Sequence, residues 1–460
     1  MMMDQTLLER LVAIVGPQHV FFREQLSEFP TSFWDASPLQ ARGLVRPGST
    51  EEVSAIMAIC HEVGQSVVVR GGLTGPVGGL ASTGQMLAIS LERMQAIGPV
   101  DLVNSCFVVE AGAILQNAQE HARNSGRLLA LDLGARGSCT IGGNIATNAG
   151  GINVLRYGMA RHQILGLEAV LADGMIVSSM TPMLKTNTGY DLNQLFIGTE
   201  GTLGIVTRAV MRVHPLPIST QTALVALEKF EAVTNLLALI KTMLGEKLSA
   251  FEVMWSDYFK AQTEPGLQRA PLSRDHQFYV VLECQGMDPA RDGDEFIAMM
   301  QQGLESRLIV DAVVANSERE RLALWELREN LESMLKKTPV YLYDVAVPID
   351  QMSDYVVSVM DRVYATWPNG QCFAMGHIAD GNVHFFVQPR QPGTTHEQSD
   401  ELVYGPLAAF GGLISAEHGI GREKKHWLLR NRPAAFLDTM RRLKAAFDPK
   451  FLLNPGCVFD

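Results

Sequence analysis

The segment from Leu133 to Gly151 reads LGARGSCTIGGNIATNAGG, with glycines at 134, 137, 142, 143, 150 and 151 and small polar residues between them. A stretch so poor in large side chains supplies no ordinary core packing. Its use is to let something large approach the backbone, because glycine removes the side chain that would intervene. Upstream, the strand Ser66-Val67-Val68-Val69-Arg70 runs into a second such segment, Gly71-Gly72-Leu73-Thr74-Gly75-Pro76-Val77-Gly78-Gly79. Successive N–H groups of such a loop form an anion nest suited to a pyrophosphate. The loop lacks the lysine and hydroxyl of a P-loop, and it does not match the spacing or context of a nicotinamide fingerprint. Taken alone, a tight turn with bulges explains it equally well. A third piece, Gly198-Thr199-Glu200-Gly201-Thr202-Leu203-Gly204-Ile205-Val206-Thr207, repeats the small-residue character ahead of a β-branched strand.

Around these segments the chain alternates helix and strand. Ser49 with Glu52 forms a capping box ahead of Val53, Ile56, Met57 and Cys60 at helical spacing, and Gly64 ends that helix. HPLPIST, His214 to Thr220, reads as a linker. Beyond it, expected helices at Phe230–Leu244 and Ser317–Lys337 alternate with strands at Phe278–Cys284 and Val340–Val347, a mixed α+β layer. The tail from about Leu407 carries helices at Lys424–Arg430 and Pro433–Phe447, closes on DPKFLLNPG, and is too short to form a core alone.

The 460 residues are 47% hydrophobic and 19% charged, enough for a full core in two or three domains. A net charge of -11 with no basic run opposes nucleic-acid binding, which needs a positive footprint. Six widely separated cysteines, Cys60, Cys106, Cys139, Cys284, Cys372 and Cys457, make neither a disulfide framework nor a thiolate metal site. The N-terminus reads as an amphipathic helix, and no stretch has the apolar length of a membrane span. A soluble cytoplasmic protein, or one peripheral to a membrane, is the expectation.

The segment Gly376-His377-Ile378-Ala379-Asp380-Gly381-Asn382-Val383-His384-Phe385 carries a hairpin signal, Asp-Gly between apolar alternations. With Ala379 to Asn382 as the loop, His377 opposes His384, which sets two imidazoles side by side at a spacing a divalent metal uses. Ser415-Ala416-Glu417-His418-Gly419-Ile420-Gly421 offers a carboxylate as third ligand, although Glu417 also reads as an acid at a helix start. Two histidines and one carboxylate suit zinc, manganese or iron.

The order RGGLTG, GARGSCTIGGNIATNAGG, KTNTGYDLNQLFIGTEGTLGIVT resembles the FAD-binding domain of the vanillyl-alcohol oxidase and p-cresol methylhydroxylase (PCMH) superfamily, from about Arg46 to the C-terminus. Within it the motifs are similar to the branch of D-lactate dehydrogenases, glycolate oxidase flavin subunits and D-2-hydroxyglutarate dehydrogenases. The resemblance implies an α+β fold: a PCMH-type FAD-binding domain over 1–215, an α/β substrate (cap) domain with an antiparallel sheet over 216–406, and a helical C-terminal segment, 407–460, completing the active site. It implies that Arg70, Gly71, Gly72, Leu73, Thr74 and Gly75 hold the FAD pyrophosphate. Gly134, Ser138, Gly142, Gly143, Asn144, Thr147, Asn148, Gly150, Gly151, Glu200, Gly201, Gly204, Ile205, Val206 and Asn454 contribute the rest of the cofactor site. Some members attach FAD through a histidine in the first loop; none occurs here, so non-covalent FAD is expected.

By the same resemblance a divalent metal, zinc foremost, sits on His377, His384 and Glu417, and His418 is the catalytic base and contacts substrate. The implied reaction oxidises a small D-2-hydroxy acid to the 2-oxo acid, with hydride leaving for the flavin and an external acceptor (quinone, electron-transfer flavoprotein or cytochrome) reoxidising it. Asn382 is a candidate to hydrogen-bond the substrate carboxylate, though backbone preference also explains a turn asparagine. Arg328, in Trp325-Glu326-Leu327-Arg328-Glu329, matches the arginine that binds the distal carboxylate of 2-hydroxyglutarate, while i,i+4 ion pairing on a solvated face also explains it. Glu332 and Leu342 stand where that subfamily has threonine and lysine, which leans the expectation towards lactate-like monocarboxylates. Lys336 or Lys337 would compensate if the helix end shifts, which keeps D-2-hydroxyglutarate or D-malate open. An alcohol oxidase and a non-catalytic flavin subunit of the same fold are also compatible with the motifs, and a homodimer is left open.

Overall fold

The computed structural model describes residues 2–264, 267–335 and 339–459. Lys336 and Lys337 lie outside them. The helix signalled by Ser49 runs Thr50–Val63: the Ser49 hydroxyl accepts from the Glu52 amide, and Gly64 closes the helix at φ 71°. Val53, Ile56, Met57 and Cys60 are buried, so the three- and four-residue spacing becomes one core-facing stripe.

By its internal contacts the chain forms two units, Met1–Gly151 with Gly158–Leu216 and Glu417–Asp460, and Ile152–Tyr157 with Pro217–Ala416. The first contains two four-stranded sheets among the described residues. In one, Val67–Arg70 and Gly43–Val45 flank Leu87–Ser90 in parallel, and Val20–Phe21 adds an antiparallel edge. The other is antiparallel, in the order Cys106–Glu110, Ile205–Arg212, Ile164–Val170, Ile176–Ser178. Every residue of Leu87–Ser90 is buried, as expected of a strand covered on both faces. The tail helices Lys425–Asn431 and Ala434–Phe447 belong to this unit, where the buried Lys444 ammonium donates to Asp448 and to the carbonyls of Thr202 and Leu453.

The second unit is built on a seven-stranded antiparallel sheet. Four of its strands matter for the site: β1 (Leu248–Trp255), β2 (Tyr341–Ala346), β3 (Gln371–His377) and β4 (Asn382–Gln388), which lie side by side in the order β1, β3, β4, β2. The expected helix Phe230–Leu244 forms as read. The helix expected over Ser317–Lys337 is shorter. Ser317 caps Glu318–Glu329, Asn330 leaves helical geometry at ψ 92°, and a separate turn of helix spans Glu332–Leu335. The apolar periodicity that crossed Asn330 came from residues on both sides of this break.

Among the described residues no helix is long and apolar enough to cross a membrane. The six cysteines are free and buried.

Candidate active site

The hairpin pairs Met375, not His377, with His384. In place of a loop from Ala379 to Asn382 there is a 3-10 turn, Ile378–Asp380, closed by Gly381 at φ 87°. The turn moves the pairing by two residues. A shift of one would have turned the histidines to opposite faces, whereas a shift of two keeps each on its own. His377 and His384 therefore share a face diagonally, with ring centroids 5.7 Å apart.

Each imidazole has a carboxylate from the neighbouring strand. Glu252 of β1 pairs in register with His377, and Asp344 of β2 pairs with His384. Directly opposed residues face the same side, so a row across four strands reads acid, imidazole, imidazole, acid. Glu252 is only 1% exposed: its Oε1 lies 2.6 Å from His377 Nδ1, and its Oε2 accepts from Arg328 Nε at 2.8 Å. Arg328 Nη2 is 3.3 Å from His377 Nε2. Burial alone would push the Glu252 carboxyl up, but the His377 imidazole and the Arg328 guanidinium overcome it and hold it at about 2. Arg328 is itself buried, held by the short helix rather than displayed on a solvated face.

Asp344 is fully buried. One oxygen accepts from Asn382 Nδ2 at 2.7 Å; the other accepts from the Ser415 hydroxyl at 3.0 Å and from the Ala416 amide at 3.2 Å. Ala416 ends the second unit and Glu417 is the next residue, so Asp344 fixes the chain from which the third acidic side chain projects. His377 and His384 stand together on one face of the second unit's sheet. The amide nitrogen of Asn382 is thus engaged, while its buried Oδ1 meets no hydrogen-bond donor among the described residues. The open oxygen of Asn382 is an acceptor, and a substrate carboxylate would have to use the second N–H of the amide nitrogen that Asp344 holds.

Sequence reasoning missed Glu252 and Asp344. Glu252 is the lone acid of LSAFEVMW, a strand buried throughout, and Asp344 the lone acid of YLYDVA, where it lies among the buried central residues; an acid in such a run is rare enough to have been the signal.

Within the first unit the glycine-rich segments are held against one another. A Cβ on Gly72 would come within 2.2 Å of the Ser138 carbonyl oxygen, and one on Gly71 within 2.7 Å of Thr140 Oγ1. Leu73 adopts φ 62°, and the backbone N–H groups of Gly72, Leu73, Thr74 and Gly75 find no acceptor among the described residues. Four consecutive donors around a left-handed residue form the kind of nest a pyrophosphate fits. Gly142, Gly143 and Asn144 lie in the helix Ile141–Ala146, with Thr147 as its C-cap. Asn148 follows at φ 48°, Ser138 and Gly134 are exposed, and Ile205 and Val206 open a buried strand. Gly150 and Gly151 end the segment, and the Gly151 amide lies 3.4 Å from Glu417 Oε1.

Three of the expected cofactor residues are occupied by the protein's own backbone. Arg70 donates to the carbonyls of Pro30 and Thr31, and burial brings its pKa down to about 10. Asn454 accepts from the Val69 amide and donates to the Glu200 carbonyl, stitching the strand before one glycine segment to another. Glu200 accepts from the amides of Ile420 at 2.7 Å and Gly421 at 2.8 Å, which anchors the loop bearing His418.

Residues 41–179 match the FAD binding domain family, and residues 216–458 match the C-terminal domain of FAD linked oxidases. The mitochondrial D-2-hydroxyglutarate dehydrogenase of Bos taurus is 38% identical over 98% of this chain and 82% of its own. The D-2-hydroxyglutarate dehydrogenase of Xanthomonas citri is 35% identical over 94% of this chain and 91% of its own. Substrate-bound p-cresol methylhydroxylase superposes with a TM-score of 0.75 at 14% identity, over 99% of this chain and 97% of that one, so the PCMH fold is shared. This chain therefore belongs to the FAD linked oxidases, as an FAD-dependent oxidoreductase related along nearly its whole length to the D-2-hydroxyglutarate dehydrogenases.

Proposed function

We propose that the protein is an FAD-dependent dehydrogenase that converts a D-2-hydroxy acid to the 2-oxo acid, assisted by a divalent metal, zinc foremost, on His377, His384 and Glu417. The two imidazoles of His377 and His384 on one sheet face, with ring centroids 5.7 Å apart and the buried Glu252 carboxylate behind His377, carry the reading. Two imidazoles and one carboxylate leave coordination positions for substrate, a donor set suited to zinc, manganese or iron. The Asn382 Oδ1, which meets no donor among the described residues, adds a buried acceptor on the same sheet face, as a site that takes a polar ligand would. The amides of Gly72 to Gly75, which find no acceptor among the described residues, support FAD binding in the same way.

When bound, FAD supplies the acceptor for the hydride leaving C2, and the metal supplies positive charge that lowers the substrate hydroxyl's pKa. The chain's own residues do the rest. His418 takes the hydroxyl proton as general base. Asp344 holds one N–H of the Asn382 amide, whose other N–H is left to donate to a substrate carboxylate, and Arg328 would orient a distal carboxylate where the substrate has one. Arg70, Glu200 and Asn454 serve by fixing loops.

For substrate, the face next to His384 continues as an apolar row, Phe373, Phe386 and Leu342, in register across β3, β4 and β2. Arg328 is already paired with Glu252, so a second carboxylate arriving there meets a compensated cation. Both features favour lactate-like monocarboxylates. The dicarboxylate reading is favoured instead by the names of the relatives, D-2-hydroxyglutarate dehydrogenases. Steady-state oxidation of D-lactate, D-2-hydroxybutyrate, D-malate and D-2-hydroxyglutarate with an artificial acceptor decides. A higher kcat/KM for the monocarboxylates is expected, and a higher value for D-2-hydroxyglutarate transfers the assignment to the second reading.

A further inference from the structure

We propose that Glu252 is a positioning residue of the site, its carboxylate fixing which nitrogen of His377 is offered to a metal. The inference rests on the reading of His377, His384 and Glu417 as a divalent-metal site and adds to it a residue that touches neither metal nor substrate.

Glu252 lies one strand away from the hairpin, in register with His377, and its Oε1 is 2.6 Å from the ring Nδ1. An ionised carboxylate has only acceptors, so Nδ1 carries the hydrogen and donates. In the neutral imidazole the lone pair is then on Nε2, which Arg328 Nη2 faces at 3.3 Å, and a metal binding His377 would take Nε2 in place of that donor. The second carboxylate oxygen is committed as well, to Arg328 Nε at 2.8 Å. With both oxygens engaged and the group 1% exposed, the carboxylate cannot rotate without leaving a buried donor unmatched. The ring is therefore set in both tautomer and orientation. A carboxylate behind a metal-bound histidine also raises the basicity of the ligand nitrogen, and losing it commonly weakens metal binding by about 10–100-fold.

The test is zinc affinity, read by competition with a chromophoric chelator on FAD-loaded protein stripped of metal. Glu252→Gln removes the charge and makes the amide a poor match for two donors, but it leaves Arg328 buried without its partner, which by itself threatens folding. The double variant Glu252→Gln with Arg328→Met leaves no uncompensated charge, and thermal midpoint and flavin content verify that it is folded. Zinc binding weakened by about 10–100-fold in the folded double variant is the expected result. Wild-type zinc affinity in the double variant overturns the proposal, including the case where only the single variant is weak, because the effect then belongs to the charge on Arg328. The parent reading fails separately, if wild type takes up no zinc or if His377→Ala and His384→Ala bind it as tightly as wild type.

Discussion

Asp344 accepts a 2.7 Å hydrogen bond from the side-chain amide of Asn382, and through its other oxygen it holds the Ala416 backbone that leads into Glu417. One buried carboxylate thus joins the hairpin that carries His377 and His384 to the backbone that leads into Glu417. Replacing Asp344 by alanine leaves the buried Asn382 amide and the part-buried Ser415 hydroxyl and Ala416 N–H without their acceptor. At about 1–3 kcal/mol per unsatisfied donor, a loss of roughly 2–5 kcal/mol in stability is expected from urea unfolding. A loss below about half a kcal/mol would show that water replaces Asp344 freely.

Glu200 belongs to a glycine-rich segment yet spends its carboxylate on Ile420 and Gly421, next to His418. Glu200→Ala is expected to keep flavin content near that of wild type while kcat falls by up to about 100-fold, the cost of displacing His418, the proposed base, by an ångström. If flavin is lost and activity per bound flavin is unchanged, Glu200 is a cofactor contact instead.

Gly72→Ala drives a methyl into the Ser138 carbonyl, whereas Gly84 has open space around the same position. Gly72→Ala is expected to lose flavin absorbance and about 1–3 kcal/mol of stability by overpacking, with Gly84→Ala close to neutral. Equal behaviour of the two variants would contradict the close approach of the two glycine loops.

The Glu252 carboxyl is held at about 2, below its ordinary 4.5. A carboxylate with a depressed folded-state pKa adds stability that is complete above its unfolded value and disappears as pH falls from about 4.5 through 2. Thermal midpoints followed through that window are expected to drop more steeply in wild type than in the Glu252→Gln, Arg328→Met double variant. Parallel profiles would mean that the carboxylate is not stabilised by its partners.

The glycine segments were legible because a run without large side chains has few uses, and the capping box at Ser49 was legible because its signal is local. The histidine pair was legible for a weaker reason: the register read from Asp380-Gly381 was two residues off, and only the two-residue period of a strand kept His377 and His384 on one face. Glu252, Asp344 and the true end of the helix bearing Arg328 depend on pairings between distant parts of the chain. Glu252 reaches His377 from 125 residues away, a distance over which spacing rules say nothing.

The most direct test of the metal-assisted reading is anaerobic flavin bleaching by D- and L-2-hydroxy acids, before and after chelation and again after zinc is restored. Rapid bleaching by a D-acid, abolished by the chelator and recovered with zinc, is the result this account requires. A yellow protein that no hydroxy acid bleaches, or one that bleaches equally well after chelation, would contradict it and leave an alcohol oxidase or a non-catalytic flavin subunit in its place.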